Sequence, residues 1–278
     1  MGLKNGPLEG WRAVPAPAPF PVAANAMPRI NGHFLYLEIH GPAIGPPVVL
    51  LHHGLGTVRA WKEQVPALAQ SGYRVIAYDR WGYGRSDPRD QLSIPYFKED
   101  QADLSGLLDD LGVQRAVLIG HSDGGTLALY WAARQASRVA ALVVSGAHIY
   151  VEAGMLPGLE GLRQTYEQDD DFRARLERRH PGKAGAVFSN WYTGWRAAGS
   201  LDWDLRPLLR QVTCPALVIQ GLEDEHASPE HARDLASALP AAELWLAAGV
   251  GHMLPQDIPE EFNSRVLTFL DQQIEGKG

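Results

Sequence analysis

The sequence predicts an α/β protein, a mostly parallel, doubly wound sheet of about eight strands with a block of helices inserted late in the chain. Three observations predict it. Short apolar runs of strand length recur along the chain, stretches of helical periodicity separate them, and one long interval, from Val151 to about Leu208, carries helical patterning alone. Parallel strands need crossovers of a dozen residues or more, and helices supply them.

The elements follow in order. Residues 1–28, rich in Pro and Ala, read as an arm laid on the surface or partly disordered. Gly32 to Ile39 alternates and predicts an edge strand ahead of the parallel sheet, whereas Pro47 to Leu51 is a buried strand that runs into His52-His53-Gly54-Leu55-Gly56. A helix is expected over roughly Ala60 to Gln70. Tyr73 to Tyr78 is the next strand, followed by the Gly-punctuated loop DRWGYGRS. Pro95 opens a helical pattern that runs to about Leu111 and stops at Gly112.

Ala116-Val117-Leu118-Ile119 suits a strand buried on both faces, and Val139 to Ser145 another. After the helical interval the strands resume with Pro215 to Gln220 and Glu243 to Leu246, with helices from Pro229 to Ala238 and from Pro259. The predicted organisation is therefore an arm over 1–28, a core over 29–150 and 209–278, and a helical cap over 151–208. No internal repeat is visible.

Composition narrows the function. A formal charge of −7 disfavours nucleic acid and anionic membranes as partners. Cys214 is the only cysteine, so neither an intrachain disulfide nor a cysteine-based metal site is expected. The N-terminal stretch lacks an apolar core of signal-peptide type, and no apolar run reaches membrane-spanning length. The expectation is a soluble, cytoplasmic protein acting on a small molecule as a monomer or homodimer, with no metal and no cofactor.

The chemistry is concentrated in Gly120-His121-Ser122-Asp123-Gly124, a G-x-S-x-G match between a strand and a helix. A turn this tight forces Ser122 into strained backbone and leaves no room for side chains at the glycines. It presents a serine hydroxyl at a helix N-terminus, which favours developing negative charge. A serine of this kind needs an imidazole to take its proton and a carboxylate to orient the imidazole. Asp224 in Gly221-Leu222-Glu223-Asp224 and His252 in Gly251-His252 each follow a strand in the required order. Glu223 and Glu225 flank Asp224 and are alternative acids. His226 and His231 read as surface residues.

HHGLG, DRWGYGRS, GHSDGG, GLED and GVGH together resemble an α/β-hydrolase with a cap, a resemblance covering roughly Ile30 to Leu270. GHSDGG, SGAHIYV and CPALVIQGLED are most similar to the valacyclovir hydrolase, or biphenyl hydrolase-like, branch of serine esterases. The resemblance implies Ser122 as nucleophile, Asp224 as acid and His252 as base, with the backbone N–H groups of Leu55 and Asp123 as the oxyanion hole. Trp81 departs from the Arg or Pro that many relatives carry before the loop glycine, a change that bears on wall shape rather than reaction.

The implied activity is hydrolysis of small carboxylic esters through an acyl-enzyme. Lactone and carbon–carbon bond hydrolases use the same residues, and a hydrolase-fold ligand receptor with little turnover is a rival of another class. Epoxide hydrolases and haloalkane dehalogenases need Asp where this chain has Ser122. The Asp123 side chain is either a helix-dipole partner or a substrate-binding carboxylate that selects a positive charge, as a pocket carboxylate does in the related branch. His148, Tyr150, Trp191 and Trp195 are candidate pocket-lining residues, although the tryptophans could equally only hold the cap helices together.

Overall fold

The computed structural model describes residues 24–199 and 202–275, so most of the expected arm (residues 1–23) lies outside the described residues. Its end is not an arm. Ala24–Ala26 (β1) pairs antiparallel with Leu37–His40 (β4) and forms the sheet edge in place of the predicted 32–39 strand. That stretch is divided: Arg29–Ile30 (β2) and His33–Phe34 (β3) make a separate small hairpin before β4 joins the sheet.

The main sheet continues with Pro47–Leu51 (β5), Arg74–Tyr78 (β6), Ala116–His121 (β7), Val139–Ser145 (β8), Ala216–Gly221 (β9) and Ala242–Ala247 (β10). The eight-stranded order is β1-β4-β6-β5-β7-β8-β9-β10, and every pairing from β6 to β10 is parallel. β7 and β8 are buried at every position, which is why Ala116 to Ile119 and Val139 to Val144 are unbroken apolar runs.

Helices cover both faces. Gln64–Gln70 (α1) packs on one face with the C-terminal helix, through Val65, Leu68, Phe262 and Phe269. Lys98–Asp110 (α2) and Asp123–Arg134 (α3) pack on the other, through Leu104, Leu107, Leu127 and Trp131. α1 is shorter than predicted because Val58–Trp61 forms a 3₁₀ turn, capped by Thr57. α2 begins at Lys98 rather than Pro95: Phe97 has φ +48°, outside helical space, and the Ser93 hydroxyl accepts from the Lys98 N–H.

The chain moves outward from β5 to β6 and then returns to β7 on the other side of β5. The carboxyl ends of β5 and β7 thus flank a topological switch point, where open α/β sheets make their crevice. Over it, between β8 and β9, come Met155–Gln168 (α4), Asp170–Arg179 (α5), Ala184–Ala198 (α6) and the short Arg206–Leu209 (α7). Leu176, Val187 and Phe188 of this insertion pack on Leu55 and Tyr83, in the loops after β5 and β6. The remaining helices are Pro229–Ala238 (α8), Leu254–Asp257 (α9) and Pro259–Glu275 (α10). No helix among the described residues is long and apolar enough to cross a membrane.

Candidate active site

Ser122 lies between β7 and α3, as the N-cap of the helix, with φ +56° and ψ −122°, a conformation that costs a non-glycine residue about 1–3 kcal/mol. The packing around it explains why the turn cannot relax. A Cβ on Gly124 would run into the Leu51 carbonyl, and one on Gly120 into the Gly124 carbonyl. Below the turn, the Ser122 N–H donates to the Ser145 carbonyl at 2.8 Å, while the Ser122 carbonyl accepts from Gly125 and Thr126.

Across the crevice, the loops after β9 and β10 bring Asp224 to His252. Nδ1 of the imidazole lies 2.8 Å from Oδ2 and 3.0 Å from Oδ1 of the carboxylate. The carboxylate is held in turn: Oδ1 accepts from the His226 and Ala227 N–H groups, and Oδ2 from the Gln220 amide. Burial pushes its pKa up, but the His252 contact and the two backbone donors outweigh burial and bring it down to about 2. Of the alternative acids, Glu225 accepts from the His252 backbone N–H and does not meet its ring.

Ser122 and His252 line one cavity of about 290 Å³. Its walls are mostly apolar, with Met155, Leu159, Leu162 and Leu176 from α4 and α5. Leu55, Asp123, His148, Trp191 and Trp195 also line it. Tyr150 does not: its ring stacks on His231 at 4.1 Å, and its backbone bridges to Asp204. His231 is buried rather than on the surface, and its Nδ1 accepts from the Ile149 N–H. His226 has its ring edge on His252 at 4.8 Å and belongs to the cavity wall.

Asp123 is fully enclosed. Oδ1 accepts from the Trp195 indole at 3.0 Å, and Oδ2 faces the Arg80 guanidinium at 3.7 Å. Burial raises its pKa, with Arg80 and Trp195 opposing the rise. Arg80, from the DRWGYGRS loop, was not among the candidates from sequence; it also bonds Asp100 at 3.2 Å and lies over the Tyr83 ring. Three buried polar atoms of the cavity wall have no hydrogen-bond partner among the described residues: Asp123 Oδ2, Trp191 Nε1 and His148 Nδ1. His148 Nε2 bonds the His226 carbonyl at 2.8 Å, and burial followed by the nearby His231 and His252 brings its pKa down to about 3, so it is a neutral ring at physiological pH.

The residues of both expected oxyanion donors line this cavity. The Asp123 N–H is in the first turn of α3, where helical N–H groups have no intrahelical partner. The Leu55 N–H makes a long 3.4 Å contact with His53 Nδ1. Burial keeps both His52 and His53 well below the usual histidine pKa, and they act as neutral scaffolding for the turn. Among the described residues no group of His, Cys, Asp and Glu has the arrangement of a metal site.

Comparison with known proteins bears on this geometry. The family profile for the alpha/beta hydrolase fold matches residues 46–178. Human serine hydrolase BPHL is 32% identical over 267 residues, which cover 93% of this chain and 90% of that protein. The chain belongs to the α/β-hydrolase family. Its similarity to the biphenyl hydrolase-like branch, read first from GHSDGG and GLED, extends over almost the whole chain. Epoxide hydrolase B of Mycobacterium tuberculosis is 29% identical over 84% of this hydrolase and 67% of its own length. Among solved structures, a bromoperoxidase from Bacillus anthracis superposes with a TM-score of 0.75 at 27% identity, covering 89% of this chain and all of the other.

Proposed function

We propose that this α/β-hydrolase is a serine esterase acting on small carboxylic esters, with Ser122 as nucleophile, His252 as general base and acid, and Asp224 as the orienting carboxylate. The observation that carries the reading is the Asp224–His252 contact at 2.8 Å, opening onto the same cavity as the strained Ser122 turn. In this reading His252 Nε2 takes the Ser122 proton as Oγ attacks the ester carbonyl. Asp224, ionised down to about pH 2, keeps the other proton on Nδ1 and stabilises the imidazolium.

The negative charge that forms on the carbonyl oxygen meets the N–H groups of Asp123 and Leu55. The Leu55 N–H gives up its long contact with His53 for a stronger, charge-assisted one. His252 then protonates the departing alcohol, and water activated by the same ring clears the acyl-enzyme. The α4–α6 helices act as the cap, with His148, Trp191 and Trp195 shaping the substrate cavity. Asp123 is an oxyanion donor through its backbone, and its carboxylate, facing Arg80 and accepting from Trp195, ties the cap to the start of α3.

A serine at position 122 favours this chemistry over epoxide opening, which uses a carboxylate nucleophile. Ser122→Ala is expected to lower kcat on p-nitrophenyl butyrate by at least about 10³-fold with an unchanged thermal melt. Turnover retained at the wild-type rate would sink the proposal. A wild-type protein that turns over lactones or vinylogous diketones but no ester would move it to the lactone or carbon–carbon hydrolases. A single turnover without recycling would favour a receptor.

A further inference from the structure

The cavity has a second chemical character at its mouth. Arg175 and Arg179, four residues apart on one side of α5, both line it together with the apolar α4 and α5 side chains. Arg179 also lines a neighbouring polar cavity of about 250 Å³, where Arg59, Arg85 and Arg178 converge. Two carboxylates share that second cavity, and both are already engaged. Asp79 accepts from the backbone of Val58 and Arg85, at 2.7 and 2.8 Å. Glu38 accepts from the Tyr36 hydroxyl and pairs with His40.

Arg59, Arg178 and Arg179 form no ion pair among the described residues, and Arg175 has only Asp169 at 3.7 Å. Partial desolvation, then repulsion from Arg175 and Arg178, lowers the pKa of Arg179. Asp123, the one carboxylate lining the catalytic cavity among the described residues, already faces Arg80 and accepts from Trp195. The uncompensated charge around the cavity is therefore positive, although the chain as a whole carries −7. A guanidinium left without a counter-ion beside an apolar cleft suits a planar anion, which it binds through paired N–H donors.

We infer that the substrate carries a carboxylate at the end remote from its scissile ester, held at the cavity mouth by Arg179 with Arg175 beside it. The matching molecule has an apolar chain between the two ends, as in a half-ester of a medium-length dicarboxylic acid. The inference deepens the ester-hydrolase reading of the same cavity and rests on it.

The test compares kcat/KM for mono-p-nitrophenyl suberate with that for its neutral methyl ester, in wild type, Arg179→Gln and Arg179→Lys. The wild type is expected to prefer the anion by at least about 10-fold at low ionic strength, with the preference shrinking at 0.5 M salt. Arg179→Gln should bring the ratio towards one, mainly through KM, while Arg179→Lys keeps most of it. Equal turnover of the two esters by the wild type, or a ratio unchanged in Arg179→Gln, overturns the inference and leaves the esterase reading standing.

If no ester is turned over, the esterase reading falls, and binding decides the rest. Calorimetry of suberate with Ser122→Ala should then give an affinity that drops at least about 10-fold in the Ser122→Ala, Arg179→Gln double variant. No binding, or binding unaffected by Arg179, overturns the inference there too. A preference for an α-amino acid ester would do the same, since it would assign recognition to Asp123 Oδ2.

Discussion

At the scale of single residues, the Ser122 turn concentrates steric demands that few side chains meet. Ser122 is left-handed and pinned between β7, β8 and the first turn of α3, while Gly120 and Gly124 touch backbone where a methyl group would sit. Gly124→Ala is expected to destabilise the protein by at least about 2 kcal/mol, because the atom it meets is the Leu51 carbonyl of a central strand rather than a movable side chain. Urea denaturation reads it, and a change within 0.5 kcal/mol in either direction would contradict it.

Asp224 makes a second prediction. Its folded pKa, about 2, lies below the ordinary aspartate value of 3.8, so its ionised contacts stabilise the fold at neutral pH and that contribution is lost as pH falls from about 4 through 2. The stability difference between wild type and Asp224→Asn should shrink by about 2 kcal/mol between pH 5 and pH 2, and a constant difference would assign the acid sensitivity to other groups. Asp224 could be favoured over Glu225 from its place in the loop after a strand, whereas the part that Glu225 plays could not be read. That depends on which carboxylate reaches the ring of His252 and which reaches its backbone.

At the scale of elements, periodicity located the strands and most helices, and it failed where a non-helical residue or a long-range pairing intervened. Phe97 delayed α2 by leaving helical space, and Ala24–Ala26 became the sheet edge because β4 offered it an open ladder. Helix α6 shows what such pairings contribute. Its Trp195 spans 72 residues of sequence to bond Asp123, fastening the insertion to the first turn of α3. Trp195→Phe keeps the ring's apolar bulk but leaves a buried carboxylate oxygen unpaired. It should destabilise the protein by about 1–3 kcal/mol and raise amide exchange in α6. Unchanged exchange in α6 would mean that the apolar contacts alone hold this helix.

At the scale of the whole molecule, stability is distributed unevenly. The central strands and α3 are buried nearly throughout, whereas Met155 and Leu159 are the buried residues of α4 and Leu176 that of α5. Amides of α4 and α5 are therefore expected to exchange well ahead of those in β7, β8 and α3, through local opening that leaves the sheet intact. Simultaneous exchange of the two regions would show that insertion and sheet unfold as one unit. A rim that opens readily also fits a site whose cationic side chains stand on α5.

The order of strands and helices, the strained serine turn and the catalytic candidates at strand ends were legible in the amino-acid sequence by itself, because each depends on local rules: apolar periodicity, the steric freedom of glycine and the chain order of Ser, acid and base. Tertiary structure alone decided that Arg80 and Trp195 enclose the Asp123 carboxylate, that Tyr150 stacks on His231 instead of lining the cavity, and that Arg179 of α5 stands at its mouth with no ion pair among the described residues. Those outcomes follow from contacts between residues far apart in the chain. Burial and charge compensation are properties of the assembled neighbourhood, and no local stretch of sequence encodes them.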